Sequence, residues 1–518
     1  MLLAVVLRPY KTHQCQDRNN TSEPSRPMNI QAPDKKSYHL EVTRPVWLPF
    51  NDTAKELVAS LVECLGYPTT GPKADKYVVV IASLLKATQV LLRSNDKRLP
   101  TYLGIQRKAS AWSQFPLVGR DISKKVIDNF LGHFDGRLVE GSGTSGLHQD
   151  EQGKWRKDPT MSMYTLRLET LPAELSEARF IEVGRPNVKV NKAESRQQKK
   201  RRIAQVGSKP FHNNKAAKAI DEDAYTSSQS RIQSLNNFWP KHPLVLPNGH
   251  AAASVTRVFH DGRLDSGGRL YGSWTGMDQK SHRLHCTIDD EPVVEIDINA
   301  SQPTLLSSLL GYKLGGLGKG DEWVDVYNEL SRLAMTGFLM TKQDDNIKLL
   351  DLIKHNRTVA KGVVMALIGT GSSIKPKATP ELAKDLGLTN EGWIKFRDQL
   401  VATVPAFNDL EPRYDKKGQL DGYINGAGFL SYHESEMMLS TLEHLIKAGI
   451  PAYSVHDSLI VKVSDATIAA KVFRQTIHDY CKQLSGIEVL VPLSVTVANH
   501  ISTDKLPTGS DLKGIYLN

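Results

Sequence analysis

Residues 291–311 read EPVVEIDINASQPTLLSSLLG and combine an apolar run, an acid and a second apolar pattern. The apolar residues from Val293 to Ile296 predict a buried strand, which ends at Asp297. After Pro303 the leucines recur at helical spacing, so a helix follows the strand. A carboxylate at the end of a buried strand is costly unless it is paired or binds a metal. Asp297 is therefore a candidate metal ligand, and a plain helix cap is the alternative interpretation.

A second acid lies at the tip of a predicted hairpin in residues 450–463, IPAYSVHDSLIVKV. Two short apolar strands flank His456 and Asp457, and a strongly helical pattern over 435–448 precedes them. A strand–helix unit followed by a helix–hairpin unit would bring Asp297 and Asp457 onto one sheet. Paired carboxylates can hold two Mg²⁺ ions that act on the attacking and leaving oxygens of an in-line phosphoryl transfer.

Between the two acids, residues 357–372 read RTVAKGVVMALIGTGS. Arg357, Lys361 and Met365 are four residues apart and share one face of a predicted helix, which ends near Gly369. Two stacked cations repel each other mildly, and a bound triphosphate would relieve that repulsion. A solvated helix face is the alternative.

Upstream, residues 263–272 read RLDSGGRLYG. Asp265, Gly268 and Arg269 suit a tight turn that brings backbone and a guanidinium close to a phosphate. A plain hairpin turn is the alternative.

Taken in order, these motifs resemble those of the superfamily that contains phage-type single-subunit RNA polymerases and family A DNA polymerases. The set comprises D-x-x-G-R at 265–269, the strand-ending acid at 297, R-x-x-x-K-x-x-V-M-x-L at 357–367 and H-D-S at 456–458. The resemblance covers roughly residues 255–465 and identifies the chain as a divergent member. It implies an α+β right-hand polymerase with palm and fingers.

The resemblance also implies roles for individual residues. Asp297 and Asp457 would hold two Mg²⁺ ions, while Arg357 and Lys361 would bind the incoming triphosphate, with Lys361 as a candidate proton donor. Met365 would lie under the nucleotide. Three residues of the first motif (Asp265, Gly268, Arg269) and His456 would contact the nucleic acid.

Two positions depart from the family's pattern and leave the choice of sugar open. Gly369-Thr370 stands where the family carries a Tyr-Gly pair. Gln302, five residues after Asp297, stands where DNA-synthesising relatives carry a glutamate that blocks a ribose 2′-hydroxyl. The V-M-x-L and H-D-S details are closer to the RNA polymerase branch, so we favour a DNA-directed RNA polymerase. A DNA polymerase that replicates a phage or mobile element is the alternative.

The N-terminal region has a different character. Residues 119–134 predict an amphipathic helix, and two strand-like pieces, 136–140 and 164–168, follow with a basic segment between them. This order resembles the end of a winged helix-turn-helix, in which Arg120, Lys124 and Lys125 would face DNA. A generic helix packed on a hairpin is the alternative.

The formal charge of +10 is concentrated between Lys189 and Lys218, where ten basic residues accompany one acid. Such a block attracts phosphate, and its centre, Lys199-Lys200-Arg201-Arg202, is a candidate nucleic-acid contact. A solvated linker is the compatible alternative. The four cysteines form no CxxC pair, which excludes a cysteine-rich zinc site and a disulfide scaffold. No apolar run approaches the length of a membrane-spanning helix.

These observations predict five segments: a loose tail (1–40), a mostly helical region with the candidate winged helix (41–171), a basic linker (172–240), the palm and fingers (241–505) and a C-terminal tail (506–518). We expect a monomer in the cytoplasm of a bacterial or phage-infected cell, with a DNA template and nucleoside triphosphates as partners and no membrane. A non-catalytic DNA-binding replication initiator is a further hypothesis. A metal-dependent nuclease would need another clustered acid, such as Glu295.

Overall fold

The computed structural model describes residues 39–42, 44, 46–93, 101–105, 115, 118, 120–139, 147–149, 155–157, 162–191, 221–312, 326–327, 349–370, 389–414, 420–424, 426–501, 506 and 515–517. The chain divides into two compact units. The first unit takes residues 1–186 and 239–255, and the second takes 187–238 and 256–518.

The described residues mix helices with strands, as the α+β prediction requires. The α-helices are α1 Asp52–Cys64, α2 Ala74–Arg93, α3 Arg120–His133, α4 Glu222–Phe238, α5 Ser301–Leu309, α6 Leu349–Thr370, α7 Asn390–Thr403, α8 Ala427–Lys447 and α9 Ala466–Ser485. Short 3₁₀ turns occupy Leu168–Thr170, Ala173–Ser176, Trp239–Lys241, Ser273–Gly276, Arg283–His285, Pro405–Asp409 and Val463–Asp465. No helix in the described part of the chain combines the length and apolar character needed to cross a bilayer.

The strands are mostly short. They are β1 His39–Val42, β2 Trp47–Pro49, β3 Thr101–Ile105, β4 Arg137–Leu138, β5 Leu147–Gln149, β6 Trp155–Lys157, β7 Ser162–Thr165, β8 Phe180–Glu182, β9 Val188–Val190, β10 Leu244–Val245, β11 Ala251–Ala252, β12 Thr256–Phe259, β13 Gly267–Tyr271, β14 Thr287–Ile288, β15 Glu291–Ile298, β16 Pro412–Tyr414, β17 Leu420–Tyr423, β18 Ala452–Val455, β19 Ser458–Lys462, β20 Leu493–Thr496 and β21 Ile515–Leu517.

The first unit has one main apolar core, to which α1, α2 and α3 contribute their buried faces. Asn51 starts α1 by accepting a hydrogen bond from the Ala54 amide at 3.0 Å, as a helix N-cap does. One sheet has the order β1-β3-β7-β4, and a second set of strands pairs in the order β10-β11-β8-β2. Helices α1, α2 and α3 lie within residues 41–171, the region expected to be mostly helical.

The elements proposed for the winged helix are present, although that assignment itself stays a prediction. Helix α3 precedes an antiparallel pair in which Arg137 lies opposite Thr165, and β7 also pairs with β3. Lys124 and Lys125 are exposed. The backbone of Arg120 begins α3, but its side chain lies outside the described residues, as do Lys199 to Arg202.

The second unit is organised around β15, whose residues Val293, Val294 and Ile296 are fully buried. It lies between β19 and β20, and the strand order is β18-β19-β15-β20-β21. Helix α8 contacts α4, α5, α9 and β13, and α9 also contacts α5. A separate small sheet has the order β13-β12-β9.

The structure departs from the predicted segments at three places. The segment assigned to a linker (172–240) contains β8, β9 and α4, whose Ile232 and Leu235 are buried. Residues 39 and 40, assigned to the tail, belong to β1, which pairs in parallel with β3. In the C-terminal tail, Ile515–Leu517 pairs in parallel with β20, since the backbone of an extended segment can satisfy the free N–H and C=O groups of a sheet edge.

An ion-pair cluster joins α4 and β12 to α8. Arg231 binds Glu436 at 2.6 Å and Glu443 at 2.7 Å, and the buried Arg257 also binds Glu436. Burial raises the pKa of Glu436, but the attraction of Arg257 and Arg231 outweighs it and holds the pKa below its ordinary value of 4.5. Folding therefore stabilises the ionised carboxylate.

Replacing Glu436 by glutamine is expected to destabilise the fold at pH 7 by about 3 kcal/mol, because Arg257 loses its buried charge partner. A carboxyl whose folded pKa is depressed contributes stability above its unfolded pKa and loses it as the pH falls through the folded value. The difference between the wild type and the variant should therefore shrink below about pH 4.5 in urea denaturation. The exposed Glu391→Gln is the matched control and should have little effect. A difference that does not change with pH would contradict this account.

Candidate active site

The structure brings Asp297 and Asp457 to the same end of the central sheet. Asp297 is the penultimate residue of β15 and lies opposite Ser458 in the β15–β19 register. Asp457 occupies the two-residue turn between β18 and β19, next to His456, whose φ of 57° is in the left-handed region. The Ile298 amide donates to the Asp457 carbonyl at 3.4 Å, which ties the strand end to the turn.

The turn from β15 into α5 holds a further contact to Asp457. Ala300 precedes α5 with a φ of 50°, a left-handed conformation that costs a residue with a side chain about 1 kcal/mol. This turn directs the Ser301 hydroxyl to Asp457, to which it donates a hydrogen bond at 2.5 Å. Backbone strain of this kind often occurs where a site needs a defined geometry.

A cavity of about 220 Å³ opens beside the two acids. Residues from the end of the central sheet, from α5 and from α6 contribute to its wall. Its lining consists of Arg269, Asp297, Ile298, Asn299, Ala300, Ser301, Gln302, Tyr327, Arg357, Lys361, Met365, His456 and Asp457. Eight residues singled out from the sequence thus line one cavity, although their chemical roles stay predictions.

Helix α6 contributes Arg357, Lys361 and Met365 to this cavity, as their spacing of four predicts. Other side chains of α6 are buried, namely Val359, Ala360, Val363, Val364 and Leu367. The Arg357 guanidinium lies 5.4 Å from the centroid of the Tyr327 ring, a cation–π contact. Tyr327 could not be predicted from the sequence, because an isolated tyrosine carries no spacing signal.

The electrostatics of the cavity favour a bound cation. Burial, followed by repulsion from Asp457 and Glu295, holds the pKa of Asp297 well above its usual range, and Lys361 offsets this only in part. A divalent cation would relieve the repulsion between the carboxylates. Mg²⁺ is commonly bound through one or two carboxylates, with water and substrate phosphates completing its coordination. Asp297 and Asp457 fit that requirement.

Glu295 is engaged elsewhere. Its carboxylate accepts two hydrogen bonds from Arg283, at 2.8 and 2.9 Å, and a third from the Ser458 hydroxyl at 3.0 Å. Within the described ranges, no group of three or more His, Cys, Asp or Glu side chains is arranged to hold a metal ion. The Glu295 carboxylate is thus bound by Arg283 and Ser458, and the nuclease stays a prediction.

Arg269 lines the cavity, but its guanidinium is bound by an acid that the sequence analysis missed. Its Nε and Nη2 donate to Glu434 at 2.7 and 3.0 Å, and the Gln302 amide also donates to Glu434 at 2.7 Å. Burial and the charge of Asp457 raise the pKa of Glu434 to about 7, against the lowering effects of Arg269 and Gln302. The sequence carries one signal for this acid. Glu434 is four residues from both Leu430 and Met438, so it lies on the apolar face of α8, where an acid is unusual.

Three other predicted residues lie away from this cavity. Asp265 pairs with Arg263 at 2.6 Å, and together with Gly369 they line a separate cavity of about 190 Å³. Gly268 has a φ of 82°, and a Cβ there would lie 2.9 Å from the Ser435 hydroxyl. The glycine is thus required by the turn and its packing on α8.

Comparisons with known proteins give little. No family model matches the chain, and no curated protein matches it. Among solved structures, the POL domain of Pol1 from M. smegmatis, in complex with DNA primer-template and dNTP, matches with a TM-score of 0.32 and 11% identity. The match covers 60% of this chain and 57% of that one. A likeness of this extent does not assign a function to the chain.

Mg²⁺ is expected to raise the thermal midpoint of the wild-type protein, because a cation bound between the carboxylates stabilises only the folded state. The rise should be about 1–2 °C for each kcal/mol of binding free energy, because the unfolding entropy grows with chain length. The measurement is a thermal melt with Mg²⁺ or EDTA at constant ionic strength. Asp297→Asn should abolish the shift, while the exposed Asp479→Asn should keep it. An equal shift in Asp297→Asn would place the ion elsewhere.

Proposed function

We propose that the chain is a template-directed nucleotidyltransferase that extends a nucleic-acid 3′ end and uses two Mg²⁺ ions. The observation that carries the proposal is the cavity lined by two acids, Asp297 and Asp457, and two cations, Arg357 and Lys361. Phosphoryl transfer needs this combination, because charge on the transferred phosphate must be neutralised while the attacking and leaving oxygens are held in line.

In this proposal Arg357 and Lys361 bind the triphosphate of the incoming nucleotide. The 3′-hydroxyl of the growing strand loses its proton to solvent water as its oxygen attacks the α-phosphorus, and the bond from that phosphorus to the pyrophosphate oxygen breaks. Lys361 donates a proton to the leaving pyrophosphate. Asp297 and Asp457 hold the Mg²⁺ ions, which supply Lewis-acid stabilisation of phosphate charge when bound. Ser301 fixes the orientation of the Asp457 carboxylate through its hydrogen bond.

The preferred product is RNA made from a DNA template. Gln302 supports this preference, because an uncharged amide at the cavity wall can accept a hydrogen bond from a ribose hydroxyl. DNA synthesis by the same machinery is the alternative. His456 and Arg269, which line the cavity, are proposed to face the nucleic acid, and the exposed Lys124 and Lys125 of α3 would add contacts to duplex DNA.

Primer extension on a DNA template with Mg²⁺ and either NTPs or dNTPs tests the proposal. The wild type should give templated product, and Asp457→Asn should lower the rate by on the order of 10³-fold, because metal-assisted charge stabilisation is lost. Asp479→Asn on α9 is the control and should extend normally. Tight duplex binding without extension by either nucleotide set would instead favour a DNA-binding replication initiator.

Lys361→Gln should lower kcat by on the order of 10²-fold, since it removes both a phosphate contact and the proton donor. Lys395→Gln is the matched control, because Lys395 lies on α7 in an i,i+4 pair with Glu391. Steady-state kinetics of single-nucleotide addition gives the measurement. Equal rates for the two variants would remove Lys361 from the mechanism.

A further inference from the structure

Glu434 lies on α8 with its side chain 2% exposed, yet its carboxylate reaches two residues that line the cavity. Arg269 comes from β13 and Gln302 from α5. Both side chains donate to the same oxygen of Glu434, Oε2, at 3.0 Å from Arg269 Nη2 and 2.7 Å from Gln302 Nε2. A single buried carboxylate thus holds a guanidinium and an amide next to each other.

The hydrogen-bonding capacity of these groups fixes which atoms remain for a ligand. The Gln302 amide points its nitrogen, Nε2, at Glu434, so its oxygen, Oε1, is left for another partner. Arg269 uses Nε and Nη2 and keeps Nη1. Within the described part of the chain, neither Gln302 Oε1 nor Arg269 Nη1 makes a hydrogen bond. The cavity wall therefore offers one acceptor and one donor side by side.

We propose that Glu434 is a positioning residue that holds Gln302 Oε1 and Arg269 Nη1 as an acceptor–donor pair for a sugar hydroxyl of the bound nucleotide. A hydroxyl is the group that suits such a pair, because it donates one hydrogen bond and accepts others. The inference rests on the proposed function for the presence of a nucleotide in this cavity. It adds the residue, Glu434, that orients the two groups in contact with the hydroxyl.

The test compares dissociation constants for ribonucleoside, 2′-deoxynucleoside and 3′-deoxynucleoside triphosphates in Mg²⁺, using the full chain. The wild type should bind the nucleotide that carries the recognised hydroxyl at least about tenfold more tightly than the one that lacks it. Whichever deoxy form loses affinity identifies the hydroxyl. Glu434→Gln should bring this ratio close to one, because one of the two oxygens becomes an NH2 group, which cannot accept, and the two-point contact to Arg269 is lost.

Glu436→Gln is the matched control. It lies two residues away on the same helix and binds Arg231 and Arg257, so it should lower stability and keep the wild-type ratio. If Glu434→Gln does not fold, Gln302→Met provides the second variant, since it removes the acceptor and leaves the pair between Glu434 and Arg269 intact. It should also bring the ratio close to one. In extension assays, Glu434→Gln should raise KM for the preferred nucleotide and change kcat by less than about twofold, as expected for lost binding contacts.

An unchanged ratio in folded Glu434→Gln or in Gln302→Met would overturn the inference, as would equal binding of all three nucleotides by the wild type. These results are distinct from a failure of the proposed function. A wild type that discriminates between sugars but makes no templated product would refute polymerisation and leave the role of Glu434 standing. Templated product with unchanged sugar discrimination in both variants would refute the role of Glu434 alone.

Discussion

The repulsion between Asp297 and Asp457 is the constraint on which the second unit depends. β15 carries Asp297 into an environment where burial and the neighbouring acids disfavour its charge. A fold that only maximised stability would place an apolar residue there, because uncompensated buried charge is among the costliest features of a protein interior. The surrounding structure has to hold the two carboxylates in place against this repulsion.

Two hydrogen bonds provide that support. The Ile298 amide ties the hairpin turn to the end of β15, and Ser301 binds the Asp457 carboxylate from the start of α5. On the adjoining part of β15, Arg283 neutralises Glu295, which limits the accumulation of negative charge. The acids Asp297 and Asp457 face a cavity that is also lined by the cations Arg357 and Lys361 of α6. A site of this kind is well suited to bind a cation together with a phosphate.

The elements of the second unit were predictable where a periodic pattern was long, as in α6, α8 and the strands that flank Asp457. The spacing of Arg357, Lys361 and Met365 placed all three in the cavity, since helix geometry alone fixes their common face. Asp265 and Gly369 were assigned to the same site but line the other cavity, because the path of a turn depends on tertiary packing. Glu434 was missed since its partners, Arg269 and Gln302, are more than 130 residues away in sequence. No local pattern encodes such pairing.

Helix α8 links these features. Two of its glutamates, Glu434 and Glu436, bind arginines on the paired strands β13 and β12, which clamps that hairpin to the helix. The same helix leads directly into the hairpin that carries Asp457. Replacing buried ion pairs by apolar residues is often neutral or stabilising, so stability alone does not account for two of them on one helix. Their directional hydrogen bonds instead fix where Arg269 lies relative to Asp457, and the proposed phosphoryl transfer would require that kind of precision.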